Sequence, residues 1–206
     1  VTGVQTCALP ISPLKYAISR KIIGFCARFT DRIDVRDLES RQVLLSCGIP
    51  QNTIFVSRDL VFNLGFRVSQ VRKNSLGIIL RSWKGFPLKR VLQFLATIKL
   101  RKTYYLFQED EKLALEVLEQ DPGSQILIYQ SEISDFIKSL TESEKIISMR
   151  YHGLVLALQS SRLVFPIAYD EKCMNLVREK GIQHFVEESE WHLQDEFEGR
   201  LKAFLA

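Results

Sequence analysis

The sequence predicts an α/β protein built on a parallel sheet with helices on both faces. Two observations carry this. From about residue 73 short apolar runs recur, rich in β-branched and aromatic residues. Between them lie stretches of about ten residues with helical periodicity, the alternation expected of a parallel sheet covered on both sides.

Taken in order, the first stretch, VTGVQTCALPIS (1–12), is uncharged, begins with Val and fits neither helical nor strand periodicity. It lacks the basic region and apolar core of a secretory signal. It reads as the in-frame translation of a sequencing adapter, so residues 1–12 are expected to be non-native and the true start to lie upstream. Residues 14–30 show helical periodicity with basic residues between the apolar ones. IDVRD (33–37) predicts a short strand and DLESRQVLLSCG a helix, with Asp37 as its N-cap and Gly48 as its stop. TIFVS (53–57) is a further β-rich run.

The regular part follows. Strands are predicted at 75–81, 102–108, 124–130, 145–149 and 161–169, and helices at 86–99, 109–119, 131–142, 151–160 and 170–180. DPG (121–123) marks a helix-to-strand turn. An amphipathic helix over 191–205 closes the chain. There is no internal repeat and no low-complexity tract.

Composition narrows the function. The chain has 206 residues, and 46% hydrophobic with 25% charged residues is ordinary for a globular protein with a real core. A net charge of +4 suits an anionic small ligand or a membrane-proximal position and is too weak to argue for nucleic acid. No segment approaches the length of a spanning helix. Cys26, Cys47 and Cys173 sit in apolar settings without pairing or metal-type spacing, and are read as buried free thiols of a reducing compartment; no metal site is expected.

In open α/β sheets ligands bind beyond the carboxyl ends of the strands. That rule selects Arg81, Gln108, Gln130, Arg150, His152 and the Tyr169–Lys172 loop. The densest cluster is SMRYHGL (148–154), where a strand meets a helix start. Free backbone N–H groups there favour an anion, Arg150 adds a fork matched to phosphate or carboxylate, and His152 can move a proton near neutral pH. The alternative is a surface Arg with a packed His. Arg81 ends another apolar strand and offers a second cation. Trp83 reads as a stacking platform for a sugar or nucleobase, or as rim packing. Asp59 reads as a ligand-binding carboxylate or as a turn cap. Asp170 is a natural N-cap for the helix after it. Lys172 lies in the same loop, while His184 and His192 have no such setting. No Gly-rich phosphate loop and no GxSxG motif occurs.

The order of these pieces resembles the polysaccharide pyruvyl transferase family. IDVRDLESRQVLLSCGI is similar to that family's I-S-V-R-D strand and Leu-rich helix. Asp59-Leu60-Val61-Phe62 resembles its Asp-Pro-x-Phe stretch, and Gly77-Ile78-Ile79-Leu80-Arg81-Ser82-Trp83 its G-x-x-L-R-x-W strand. Arg150-Tyr151-His152-Gly153-Leu154 resembles its R-L-H-A/G-L helix start, and Tyr169-Asp170-Glu171-Lys172 its Y-D-P-K loop. The resemblance runs from about residue 33 to 181. Tyr151 replaces a Leu, Leu60 and Glu171 replace prolines, and Arg58 stands where a small residue is common; Arg150 and His152 are retained.

The resemblance implies a two-domain, GT-B-like enzyme with a cleft between Rossmann-like halves. On that reading residues 13–66 are a remnant of the N-terminal domain and 73–206 the C-terminal half, with helix 191–205 crossing back toward the missing part. It implies transfer of a pyruvyl group from phosphoenolpyruvate to a sugar of a cell-surface polysaccharide or its lipid-linked precursor, giving a pyruvate ketal. Arg150, Arg81 and Lys172 are then the donor's cations and His152 the general acid, with Trp83, Asp59, Tyr169 and Asp170 as candidate substrate contacts. The partners implied are phosphoenolpyruvate, the glycan acceptor and the missing N-terminal domain, with no metal or organic cofactor, and the fragment by itself is expected to be inactive. Such an enzyme works in the cytoplasm, with a peripheral position at the inner face of the membrane. A GT-B-like glycosyltransferase using a nucleotide sugar, and a non-catalytic glycan- or anion-binding module, are the alternatives.

Overall fold

The computed structural model describes residues 16–27, 29–35, 38–57, 70–129 and 133–206. The chain divides into two compact units, 1–64 and 65–206.

In the first unit, helix α1 (Ala17–Ala27) precedes strand β1 (Ile33–Val35), helix α2 (Leu38–Ser46) and strand β2 (Ile54–Val56). The strands pair in parallel, Ile33 beside Ile54 and Val35 beside Val56. Val35, Leu44, Ile49 and Ile54 form a small core under α2. Gly24 lets α1 come close to the end of α2, since a Cβ there would stand 2.5 Å from the Cys47 carbonyl oxygen. Gly48 ends α2 in the left-handed region (φ 79°), where glycine carries no steric penalty. Asp37, the predicted cap, lies outside the described residues.

The second unit carries the larger sheet. Its strands are β3 (Arg72–Ile79), β4 (Arg101–Leu106), β5 (Gln125–Ile128), β6 (Ser143–Ser148), β7 (Leu163–Ala168) and β8 (Val186–Glu187). They lie in the order β5-β4-β3-β6-β7-β8, with every neighbouring pair parallel. Helices α3 (Leu88–Ala96), α4 (Glu111–Gln120), α5 (Ile133–Thr141), α6 (Tyr151–Gln159), α7 (Glu171–Lys180) and α8 (Gln194–Leu205) complete it. Counted within the unit, the strand order is 3-2-1-4-5-6, that of the Rossmann fold. The predicted α/β class, a Rossmann-like parallel sheet covered by helices, is the observed one. The two-residue strand β8, beside Ile167 and Ala168, is an addition too short to leave a periodic signal.

The central strands explain why the sheet forms. Leu76, Ile78, Ile79 and Leu80 on β3 and its end, and Ile146 and Ile147 on β6, are fully or almost fully buried. Burying side chains of this size stabilises by roughly 1.5–3 kcal/mol each before conformational entropy is set against it. Lys102 sits in this interior with its ammonium 2.9 Å from Asp121, whose other oxygen accepts the Tyr104 hydroxyl proton at 3.0 Å. Burial and the adjacent carboxylate push the Tyr104 phenol well above its ordinary range. Lys102→Met leaves Asp121 a buried charge without its cation. It is expected to cost about 3–5 kcal/mol, read as a lower urea midpoint at unchanged slope.

The final helix, α8, packs on its own sheet, because Phe197, Leu201 and Phe204 enter the same core as Phe165 and Trp191. Lys145 of β6 fastens its end, donating to the carbonyls of Phe204 (3.1 Å) and Leu205 (2.7 Å). Of the thiols, Cys173 is buried and Cys47 half-buried, but Cys26 is exposed, since α1 buries none of its residues.

Candidate functional site

Strand order places the site. The connections leave β3 and β6 in opposite directions along the sheet, so a crevice opens at their carboxyl ends. Ile79 and Ser148 are register partners, and the Met149 amide still donates to the Ile79 carbonyl at 2.8 Å. Two residues beyond each of these strand ends stand Arg81 and Arg150. Both line one open cleft of about 610 Å³ with Gln108, Glu109, Asp110 and Lys112.

Arg150 is held on several sides. Its Nη2 donates to Asp110 Oδ2 at 2.7 Å and its Nη1 to Glu109 Oε1 at 3.1 Å. The guanidinium lies 4.3 Å from the Phe107 ring centroid, a cation–π contact. Its Nε is buried with no acceptor among the described residues. The backbone below is pinned by Ser148, whose Oγ accepts from the Arg150 amide (3.2 Å) and donates to the Arg150 carbonyl (2.9 Å).

Arg81 is held by rings. Its Nη1 donates to the Tyr169 hydroxyl at 3.1 Å, and it lies 5.0 Å from the Trp83 ring and 5.3 Å from that of Tyr169. Trp83 and Tyr169 touch each other at 4.5 Å between centroids, and Trp83 is 38% exposed. Arg81 Nε is likewise buried without an acceptor among the described residues. Two arginines at one crevice, each with an orphaned buried N–H, make an arrangement that an anion would satisfy.

Helix α6 starts at this crevice, with Arg150 in extended conformation as its cap residue. Its first turn lies tightly on the sheet because residue 153 is glycine. A Cβ there would stand 2.4 Å from Ser148 Oγ and 2.5 Å from Ile79 Cδ1. Gly153→Ala is expected to push the turn outward, costing about 1–3 kcal/mol by overpacking and displacing Arg150. Thermal unfolding and a ligand titration on the same variant would show both effects together.

Of the other predicted site residues, His152 is exposed in the first turn of α6, its ring 5.7 Å from that of Tyr151 in an edge-on contact. It follows Arg150 by two residues and is not among the residues lining the 610 Å³ cleft. Asp170 caps α7, accepting the Cys173 amide at 2.8 Å, so its structural reading is the observed one. Lys172 is half-buried in the first turn of α7. Asp59 and Gln130 lie outside the described residues. His184 and His192 are exposed. Among the described residues, no group of three His, Cys, Asp or Glu side chains is placed to hold a metal ion. No helix among them is long and apolar enough to cross a membrane.

Sequence reasoning missed Glu109 and Asp110. They lie in a short 3-10 turn, Gln108–Asp110, between β4 and α4. There the Asp110 carboxylate turns back to accept the Phe107 amide at 3.0 Å. The only signal was position, since Gln108 was selected as a strand-end residue.

The fold and site together define a Rossmann-like α/β protein with a crevice at its topological switch point lined by two arginines. The sequence profile described as Polysaccharide pyruvyl transferase matches residues 5–171, most of the chain, and the protein belongs to that family. No curated protein matches it in sequence. Among solved structures it is similar to a mutant of S. aureus TarM in complex with fondaparinux, alpha-GlcNAc-glycerol and UDP. That likeness has TM-score 0.61 and 13% identity, covering 92% of this chain and 40% of that one. It is also similar to Methanocaldococcus jannaschii UDP-GlcNAc 2-epimerase (TM-score 0.56, 13% identity, 86% of this chain and 55% of that one). Anabaena Alr3699/HepE in complex with UDP gives TM-score 0.56 at 11% identity, over 95% of this chain and 63% of that one. Likeness at this identity shows the fold, Rossmann-like and of the GT-B kind. The chain spans between 40% and 63% of the length of these proteins.

Proposed function

We propose that the protein transfers a pyruvyl group from phosphoenolpyruvate to two hydroxyls of a saccharide, forming a pyruvate ketal and releasing phosphate. The observation that carries this reading is the pairing of Arg81 and Arg150 at the switch-point crevice, in a chain of the pyruvyl transferase family. Phosphoenolpyruvate presents a carboxylate and a phosphate, and two guanidiniums match that pair of anions. Lys172 is a further cation for the donor, and exposed Trp83 offers ring surface to a sugar.

The chemistry assigns the remaining roles. His152 gives a proton to the terminal carbon of the enol, turning the methylene into a methyl group. One sugar hydroxyl forms a C–O bond to the central carbon and loses its proton. The C–O bond to phosphate then breaks, and a second hydroxyl closes the ketal and loses its proton in turn. One of the two released protons restores His152, and the other leaves with phosphate. The N-terminus of α6 favours the departing charge. The scheme uses no metal or organic cofactor, and the acceptor is a glycan or its lipid-linked precursor. It belongs in the cytoplasm at the inner face of the membrane, where such precursors are made.

The test is phosphate release from phosphoenolpyruvate on mixing with the protein and a pyruvate-free envelope saccharide. The expected result is release that depends on the saccharide and leaves an acid-labile ketal on it. Transfer from a nucleotide sugar instead, with phosphoenolpyruvate inert, would replace this reading by that of a glycosyltransferase.

A further inference from the structure

Two carboxylates meet one guanidinium in very different settings. Asp110 is 7% exposed and tied at two points, to Arg150 Nη2 and to the Phe107 amide. Glu109, on the same turn, is 66% exposed, and the contact it makes on Arg150 is a single one, 3.1 Å from Nη1. A backbone amide donating to Glu109, followed by the charges of Arg150 and Arg81, holds its carboxyl below the usual carboxylate range. The Glu109 carboxylate therefore feels both arginines of the crevice.

The charges of the cleft show what this does. Its lining carries Arg81, Lys112 and Arg150 against Glu109, Asp110 and Glu111, so the cations are balanced as they stand. A multiply charged anion entering the cleft meets an Arg150 whose Nη1 is already paired with Glu109. Asp110 is buried and doubly tied, so it stays. Glu109 is exposed and holds Arg150 by one contact, and an exposed ion pair is worth only about 0–1 kcal/mol, so it can leave.

We infer that Glu109 is a removable stopper on the anion seat of Arg150, and that Asp110 is the fixed anchor that keeps the guanidinium aimed. Glu109 occupies Nη1 in the free protein and swings into solvent when a phosphate or carboxylate arrives. This sets a threshold: dianions displace it, and weaker monoanions do not. The inference concerns the anion seat and rests on the phosphoenolpyruvate reading only for the identity of the natural anion.

The experiment is a calorimetric titration of the 206-residue chain with inorganic phosphate, phosphoenolpyruvate and acetate. It compares wild type, Glu109→Gln and Glu111→Gln, the last removing a neighbouring cleft charge that does not touch Arg150. Glu109→Gln is expected to tighten phosphate and phosphoenolpyruvate by about three- to five-fold, the equivalent of an exposed pair. It is also expected to narrow the preference over acetate, while Glu111→Gln changes affinity less than about two-fold. Equal tightening by both variants would mean net charge alone, and unchanged or weaker binding in Glu109→Gln would mean that Glu109 helps to hold the ligand. Either result overturns the stopper, as does failure of every variant to bind phosphate. Phosphate tightened by Glu109→Gln with phosphoenolpyruvate ignored would keep the stopper and remove the donor assignment. Turnover of phosphoenolpyruvate with no effect of Glu109→Gln would do the reverse.

Discussion

Arg150→Ala is expected to lower pyruvyl transfer by about 10²–10³-fold, the usual cost of removing one preorganised donor from a developing oxyanion. The effect is expected to exceed that of an ordinary surface arginine, because Arg150 is fixed in advance. Asp110 fixes one nitrogen, the Phe107 ring supports the flat face and Ser148 holds the backbone. Little orientational freedom remains to be lost when the donor binds. The substitution also leaves Asp110 as a buried carboxylate with only the Phe107 amide, so some stability is lost as well. Arg150→Lys separates the two effects. It keeps a charge near Asp110 but loses the fork, and is expected to restore stability while leaving turnover depressed. Turnover that recovers fully with lysine would show that charge alone suffices.

His152→Ala is expected to lower the maximal rate by about 10²–10⁴-fold, the range of general acid catalysis, with little change in donor affinity. Arg150 and Arg81 line the cleft and are assigned the donor's charges, whereas His152, exposed in the first turn of α6, is assigned the proton alone. A proton donor that is not a binding residue moves the rate and spares the affinity. In deuterium oxide the native protein is expected to place one deuterium in the ketal methyl group. Near-normal turnover of His152→Ala would remove the acid assignment.

Much of this was legible in the sequence, and the limits have physical causes. The strands of the second unit were readable because β-branched and aromatic runs such as GIIL and KIIS are buried on both faces and stand apart from their helical neighbours. The helix starts were readable where a cap marks them, as with Asp170 ahead of α7. Arg81 and Arg150 were found because parallel sheets bind ligands at strand ends, and both arginines follow strong strands. Glu109 and Asp110 were not, because they fall in a stretch whose periodicity reads as helix. The tight turn that re-aims Asp110 depends on a hydrogen bond to the Phe107 amide, which periodicity does not encode. The same holds for α8, whose apolar stripe shows that it packs but not on which surface. Lys145, about sixty residues earlier in the chain, fixes that choice by binding the last carbonyls.

The Tyr169 phenol and the Trp83 ring, both candidate substrate contacts, each contact Arg81 in the structure. Arg81 is thus the counterpart of Arg150. One is aimed by a carboxylate and the other by aromatic rings, and each has a buried Nε without an acceptor among the described residues. The carboxylate-backed arginine is the more neutralised of the two. A phosphate would find the stronger field at Arg81 until Glu109 leaves Arg150.

The crevice between the ends of β3 and β6 is expected to hold phosphoenolpyruvate on its two arginines. The most direct measurement is calorimetric titration of the chain with phosphoenolpyruvate and, separately, with UDP-sugars, repeated on Arg150→Ala. The expected result is saturable binding of phosphoenolpyruvate that disappears with Arg150, and no heat from the UDP-sugars. Binding of a UDP-sugar in place of phosphoenolpyruvate, or phosphoenolpyruvate binding that survives the loss of Arg150, would contradict it.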